Sequence, residues 1–402
     1  MIDLKRQRLP KVYMRNNKEC YLDFIREKLI YITPEETIRQ KVISYLIDVL
    51  EVPKEVIAVE ESLSHYGIKS SKRADIIIHA YDKENRMIPV VVIECKASDV
   101  FLGDRALNQM LDYCDALYCD YAMLINGNQE YCYKYDEDKN AYFEIEELPK
   151  YSEIVKGEYV FVEKEEIPER IPFEKHEEHL IDARKNFDGD YYFCDVSPQT
   201  PMEIAKPALN LCECLLDHRV KMPTGKYGMF ELIEDYGVRM LDYGNASGGT
   251  FFGPYRSFLV NVDGSTEFVS FSITTYWKGK NTDNVKTCLA VAIDNEKTTH
   301  HSLQLVLDDN LVVEDNVCRF HHHGKIAIGN LGSGKVDELR KLVMEKHPEI
   351  ISGNNFLLGT VINDKLWGLD DINIIKLIEN LISYAILRDE YRDVVKKKKI
   401  GI

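Results

Sequence analysis

From residue 33 to about 148, apolar and polar positions switch repeatedly between helical and strand periods. Ile38, Val42, Tyr45, Leu46 and Val49 recur at helical spacing. Ahead of them, Thr33-Pro34-Glu35-Glu36-Thr37 is a helix start. Thr33 suits the N-cap, the missing N–H of Pro34 is no loss in the first turn, and the acids favour the positive end of the helix dipole. A helix to about Leu50 is predicted, then a short strand at residues 56–60. Two almost continuously apolar stretches, Arg73 to Ile78 and Val90 to Lys96, flank the polar loop Asp82-Lys83-Glu84-Asn85-Arg86 and predict a hairpin. Leu107 to Leu117 has helical spacing, and strands are predicted at residues 121–125, closed by Asn126-Gly127, and at 130–135. Helix, strand, strand, strand, helix, strand, strand is the order of a compact α/β unit.

Residues 149–195 are charged and weakly periodic, with some helix around residues 177–184. A helix from Pro201 or Met202 to about His218 follows. Short alternating apolar segments between residues 225 and 307, separated by glycine-rich turns, predict a β-rich region closed by helices at about 336–347 and 370–392. The expected organisation is an α/β domain over residues 1–148 with a basic lead-in, a charged linker over 149–195, and a second β-rich α+β domain over 196–402.

Chemistry enters at the hairpin. Folded about its midpoint, with Tyr81 opposite Ile88, it sets Asp75 opposite Glu94, and Lys96 shares the face of Glu94 by the two-residue period. Opposed carboxylates with Cβ atoms ~5 Å apart repel, and a hard divalent cation such as Mg²⁺, with Mn²⁺ as substitute, relieves that repulsion with oxygen ligands. Such a cation polarises a phosphate and activates water, while Lys96 orients or helps deprotonate that water, or stabilises the transition-state charge. Gln109 and Tyr113, four apart on one helical face, are candidates to address a phosphate or hold Lys96. Glu36, with Arg39 three residues later, is a candidate further metal ligand or partner of metal-bound water. Arg39 could pair with the acid or bind the phosphate, and Arg73 is a further candidate to bind the phosphate.

Composition narrows the picture. The chain of 402 residues is 45% hydrophobic and 29% charged, as soluble proteins are, and neither a membrane span nor a signal peptide is expected. Ten cysteines without framework spacing fit reduced thiols and a cytoplasmic location. A net charge of −16 argues against a passive nucleic-acid coat, whose affinity comes from Lys and Arg. It leaves room for an enzyme with a local basic groove.

In order and spacing, Thr33-Pro34-Glu35-Glu36-x-x-Arg39-Gln40, Arg73-Ala74-Asp75, Ile93-Glu94-Cys95-Lys96-Ala97, Gln109-x-x-x-Tyr113 and Asn126-Gly127 resemble the amino-terminal nuclease domain of the type I restriction enzyme R subunit, in the PD-(D/E)xK nuclease superfamily. The resemblance covers roughly residues 20–148. It implies a restriction-endonuclease-like core, a mixed sheet flanked by helices, that cuts DNA with Mg²⁺. It also implies Asp75 and Glu94 as metal ligands, Lys96 as catalytic, Glu36, Gln109 and Tyr113 as supporting residues, and the Cys95 carbonyl as a further ligand. The expected partners are DNA and either further copies of the chain or other restriction or defence subunits.

Beyond that segment the signals are weaker. Gly329 to Val336 imitates a phosphate loop, but Val336 stands where Ser or Thr would hold Mg²⁺, so ATP-driven translocation is not expected from this chain. His300-His301 and Cys318-x-x-His321-His322-His323 are better explained as surface or partly buried residues than as a zinc site. The loop at Tyr243 to Gly249, with Tyr255-Arg256, is a candidate recognition loop or a plain turn. The competing functional classes are a non-catalytic nucleic-acid-binding or assembly module and a nuclease effector gated by a ligand on the second domain.

Overall fold

The helix start at Thr33 folds as its residues dictate. The Thr33 hydroxyl accepts the Glu36 N–H at 3.0 Å, and α1 runs over Pro34–Asp48. The computed structural model describes residues 2–156, 169–185, 196–244, 250–276, 285–294, 300–328 and 331–400. Two compact units make up the chain, residues 1–166 and 167–402.

The first unit is built on a six-stranded mixed sheet in the order β4 (Ile57–Ser62), β5 (Arg73–Tyr81), β6 (Met87–Cys95), β7 (Tyr121–Ile125), β8 (Glu130–Asp136), β9 (Ala141–Ile145). Only β6 and β7 pair in parallel, because α2 (Asp104–Leu117) carries the chain back between them. Helix α1 packs Ile38, Val42, Ile43 and Leu46 against Ile76, Ile78, Ile93 and Met123 on one face. Helix α2 packs Met110, Tyr113, Cys114 and Leu117 against Ile77, Val92, Ala122 and Leu124 on the other. A sheet covered on both faces has no solvent side, which is why the two hairpin strands are apolar at nearly every position. Each such side chain contributes roughly 1.5–3 kcal/mol by burial.

The hairpin differs from the expected register in an informative way. Tyr81 pairs with Met87, not Ile88, and the pairing slips between Ile78 and His79 before resuming at Ile78–Val91 and Ile76–Ile93. Pro89 lies opposite His79 at the slip, and a residue without an N–H cannot continue the ladder. The bulge at Val90 adds the one residue by which the turn falls short. Continuing the register past Ile76–Ile93 puts Asp75 beside Glu94, as the sequence predicts.

Ahead of α1 the chain forms a three-stranded antiparallel meander, β1 (Val12–Arg15), β2 (Lys18–Leu22) and β3 (Leu29–Tyr31), which the pattern of residues 1–20 does not announce. The basic residues there are partly neutralised, since Arg6 pairs with Asp3 and Arg8 with Asp48, and Arg15 is buried. The charged stretch 149–195 contributes α3 (Tyr151–Ile154) to the first unit, with Tyr151 inside its core. To the second unit it contributes α4 (His176–Lys185).

In the second unit an antiparallel sheet runs β10 (Gly225–Tyr227), β11 (Phe230–Gly244), β12 (Thr250–Val262), β13 (Ser265–Tyr276), β14 (Lys286–Ile293), β15 (His300–Val306). Gly244 of β11 also meets His300 of β15, so the sheet curls back on itself. A four-stranded sheet has the order β16 (Leu311–Glu314), β17 (Val317–His322), β19 (Asn355–Ile362), β18 (Ile351–Ser352). Helices α5 (Met202–Leu216), α7 (Val336–Lys346) and α8 (Ile372–Ile400) supply the rest of the core, with the single turn α6 (Leu307–Asn310). Several strands are longer than the short segments expected. Asp263-Gly264, both at positive φ, make a two-residue turn that lets β12 and β13 pair to their ends.

Three sequence signals resolve here as packing. Around the glycine-rich segment Ala327 forms only a bridge with Ser333, and a Cβ on Gly334 would meet the Tyr391 ring at 2.5 Å. Gly329 and Asn330 lie outside the described residues. Arg256 is fully buried on Asp235 and so is not available for recognition, while residues 245–249 lie outside the described residues. His322 is buried with its Nδ1 2.7 Å from the Tyr384 hydroxyl. No helix among the described residues is long and apolar enough to cross a membrane.

Candidate active site

Asp75 and Glu94 lie on adjacent strands at the edge of the α2-covered face and are both buried, at 8% and 2% exposure. Glu94 is gripped on one oxygen only. Its Oε1 accepts from Lys96 Nζ at 2.5 Å and from Gln109 Nε2 at 2.7 Å. Its Oε2 is buried without a hydrogen-bond partner. Gln109 Nε2 also reaches the Tyr113 hydroxyl at 3.1 Å, so the helical pair Gln109–Tyr113 acts as one support for Glu94. An unpaired buried carboxylate oxygen costs desolvation energy that nothing in the protein offsets.

The electrostatics follow. Burial first, then the Asp75 charge, raise the Glu94 carboxyl to about 7, against the lowering influence of Lys96. Burial alone would lower Lys96, but its hydrogen bond to Glu94 and the surrounding carboxylates outweigh that and raise it. Lys96 is therefore an ammonium at neutral pH, suited to stabilise negative charge and poorly suited to accept a proton.

Asp75 is held differently. Its Oδ1 accepts from Arg39 Nη2 at 2.7 Å and its Oδ2 from the Cys95 N–H at 2.7 Å. A strand residue sends its N–H and C=O to the same edge, so the Cys95 carbonyl opens toward Asp75 as well, while its thiol is buried in the α1 core.

Not every expected residue joins the pair. Glu36 stands behind Arg39: its Oε1 accepts from Arg26 at 2.9 Å and Gln40 at 2.7 Å, and its Oε2 from Arg39. Both of its oxygens are taken, so Glu36 reaches Asp75 only through Arg39. Of the two partners expected for Arg39, acid and phosphate, the structure shows the first: Arg39 is buried among carboxylates, with Glu60 at 2.7 Å and Glu35 at 3.2 Å besides Asp75 and Glu36. Its guanidinium is raised still further into its charged form by Asp75, Glu36 and Glu60, despite burial. Arg73 is exposed at the start of β5, two residues from Asp75. Asn126 plays a structural part: its Oδ1 accepts from Asn128 N and Gln129 N, and its Nδ2 ties the turn to the Val100 carbonyl at 2.8 Å.

Glu35 and Glu60 are charged neighbours that sequence reasoning missed. Burial and then the Asp75 charge raise Glu35. The signal was present in Glu35-Glu36, but which of two adjacent acids faces the strands depends on the rotation of α1.

Among the described residues no three His, Cys, Asp or Glu converge as a ready-made metal cage. Mg²⁺ does not need one, since it binds through one or two carboxylates and keeps its remaining positions for water and phosphate oxygens. The bare Glu94 Oε2 and the Cys95 carbonyl fit that requirement in kind, and Asp75, whose oxygens already accept from Arg39 and the Cys95 N–H, would join them through a second lone pair.

No curated protein and no solved structure matches the chain. A family model does match, over residues 34–149, a segment that begins at the first residue of α1 and ends just after β9. In that segment the chain is therefore matched to the type I restriction enzyme R protein N terminus (HSDR_N), the family that its motifs resemble.

Proposed function

We propose that the chain is a Mg²⁺-dependent nuclease that hydrolyses DNA phosphodiester bonds, in restriction or another defence against foreign DNA, on a restriction-endonuclease-like core. The observation that carries this reading is the half-satisfied Glu94, held by Lys96 and Gln109 on one oxygen and bare on the other, beside Asp75. The family match supports it. A divalent cation, when bound, supplies charge neutralisation at the phosphate and activation of water. Asp75, Glu94 and the Cys95 carbonyl would hold it. Lys96 places a fixed positive charge where the transition state gathers negative charge, and Gln109 keeps Glu94 in position. The chain is proposed to do this without an ATP-driven motor of its own.

Metal calorimetry followed by cleavage assays on linear, circular and single-stranded DNA tests the reading. The parent protein is expected to bind Mn²⁺ and to cut DNA, and a chelator to stop it. Asp75→Asn should lose both at once while remaining folded. A parent that takes up no Mn²⁺ would be a scaffold or assembly module instead.

The exposed segment Lys69-Ser70-Ser71-Lys72-Arg73 leads into β5 next to the site. Lys72 Nζ lies 5.6 Å from the centre of the Tyr113 ring. Among the described residues Lys69, Lys72 and Arg73 form no ion pair, so they are proposed to meet the DNA backbone. The double variant Lys72→Ala/Arg73→Ala should raise KM about tenfold. It should also flatten the dependence of log affinity on log salt by about 2, one unit for each phosphate that is no longer neutralised. An unchanged salt slope would remove these residues from the DNA path.

A further inference from the structure

Residues 12–31 lie outside the segment that matches the family, yet they send a buried carboxylate, Asp23, and a partly buried guanidinium, Arg26, toward the site. The turn between β2 and β3 is organised by Asp23, whose Oδ1 accepts the N–H groups of Ile25 at 2.9 Å and Arg26 at 2.6 Å. Its Oδ2 accepts from Arg26 Nε and Nη2 at 2.9 and 2.7 Å, and from Gln40 Nε2 at 2.5 Å. Asp23 and Gln40 are fully buried. Arg26 Nη2 and Gln40 Nε2 both continue to Glu36 Oε1. The other Glu36 oxygen holds Arg39, and Arg39 holds Asp75.

We propose that the amino-terminal β-meander is a positioning element for the carboxylate site, acting through Asp23, Arg26 and Glu36 on Arg39, and through Arg39 on Asp75. This rests on the reading of Asp75 and Glu94 as the reacting centre. Charge balance gives the physical reason. Arg39 stands between Glu36 on one side and Asp75, Glu60 and Glu35 on the other. Arg26 supplies the second positive charge on Glu36, so Glu36 does not have to be neutralised by Arg39 alone. Without Arg26, Glu36 competes more strongly for the Arg39 guanidinium and draws it from Asp75. An uncompensated buried charge is costly, so Glu36 draws on the cation that remains within its reach, Arg39. The meander thus sets the Asp75 oxygens, one of which accepts the Cys95 N–H.

That last hydrogen bond gives a readout independent of cleavage. The full chain labelled with ¹⁵N-cysteine reports amide exchange at Cys95, at Cys20 in the meander, and at Cys114 in α2. In Arg26→Gln the Cys95 amide is expected to exchange about tenfold faster, with Cys114 unchanged and Arg26→Lys restoring the parent rate. Asp23→Asn, which keeps size and an acceptor, is measured the same way and carries the test if Arg26→Gln does not fold. Exchange that changes at Cys20 and not at Cys95 overturns the proposal, as does a uniform increase at all three. Cleavage kinetics run alongside should show kcat about tenfold lower with KM for DNA unchanged. A parent that cuts no DNA would defeat the nuclease reading alone, because the Cys95 exchange still decides whether the meander and Asp75 are coupled.

Discussion

Glu94→Gln is expected to abolish DNA cleavage and, in the absence of divalent metal, to make the protein more stable at neutral pH. Glutamine keeps an acceptor for Lys96 and Gln109, so the local geometry survives, but the charge that would hold a metal is gone. Loss of at least about 10²–10³ in kcat is expected from removing a single centre of transition-state stabilisation. The stability gain follows from the raised Glu94 carboxyl, at about 7 against an ordinary 4.5. A carboxyl whose folded value lies above its unfolded value costs the fold nothing below about pH 4.5. The cost grows as the pH rises and levels off above about 7. Urea titrations of parent and variant should therefore coincide near pH 4.5 and separate by on the order of 2 kcal/mol at pH 7.5. Mg²⁺ should close the gap by stabilising only the parent, since a ligand of the folded state adds to its stability. A variant no more stable than the parent at pH 7.5 would mean that Glu94 is not strained in the resting protein.

Asp235→Ala should be among the most destabilising single changes in the second unit, at about 3–5 kcal/mol. Asp235 Oδ1 and Oδ2 bind Arg256 Nε and Nη2 at 2.7 and 2.5 Å, and Oδ2 also accepts the Met222 N–H at 2.8 Å. Arg256 completes its hydrogen bonding on the carbonyls of Asp217 and Val220 and has no exposed surface. Removing the acid leaves a guanidinium charge buried with only carbonyls around it. The double variant Asp235→Leu/Arg256→Met removes both charges and should recover much of the loss, because apolar replacements of a buried pair are often neutral. Denaturation midpoints of the three proteins decide the matter, and a single variant within about 1 kcal/mol of the parent would show the pair to be incidental.

Much of the first unit is legible in the sequence because its signals are local. Thr33 and Pro34 start α1 through their own backbone chemistry, and the helical spacing of Gln109 and Tyr113 is enough to place them on one face. The Asp75–Glu94 pairing is legible for a subtler reason. The turn is one residue tighter than the pattern predicts, but the bulge beside Pro89 shifts the strands by one in the compensating sense. The meander at residues 12–31 is not legible, because strands of four, five and three residues are too short for alternation to stand out from chance. That Glu36 stands behind Arg39 and not beside Asp75 depends on how α1 is rotated on the sheet, which helical spacing does not tell. Which of its two expected partners Arg39 takes, an acid or a phosphate, is not legible either, because it depends on how deeply the packing buries the guanidinium.

The amino-acid order by itself determined α1, α2 and the strands β4 to β8 of the first unit, including the two strands that bring an aspartate and a glutamate together and the lysine that shares the glutamate's face. These depend on neighbours within a few residues and on a two-residue period. Only the tertiary structure decided which oxygen of Glu94 is left bare, which acids surround Arg39, and that the residues before α1 reach the site at all. Those outcomes depend on how far each side chain is withdrawn from water and on partners distant along the chain, and a buried charge takes whatever counter-charge the packing brings within reach.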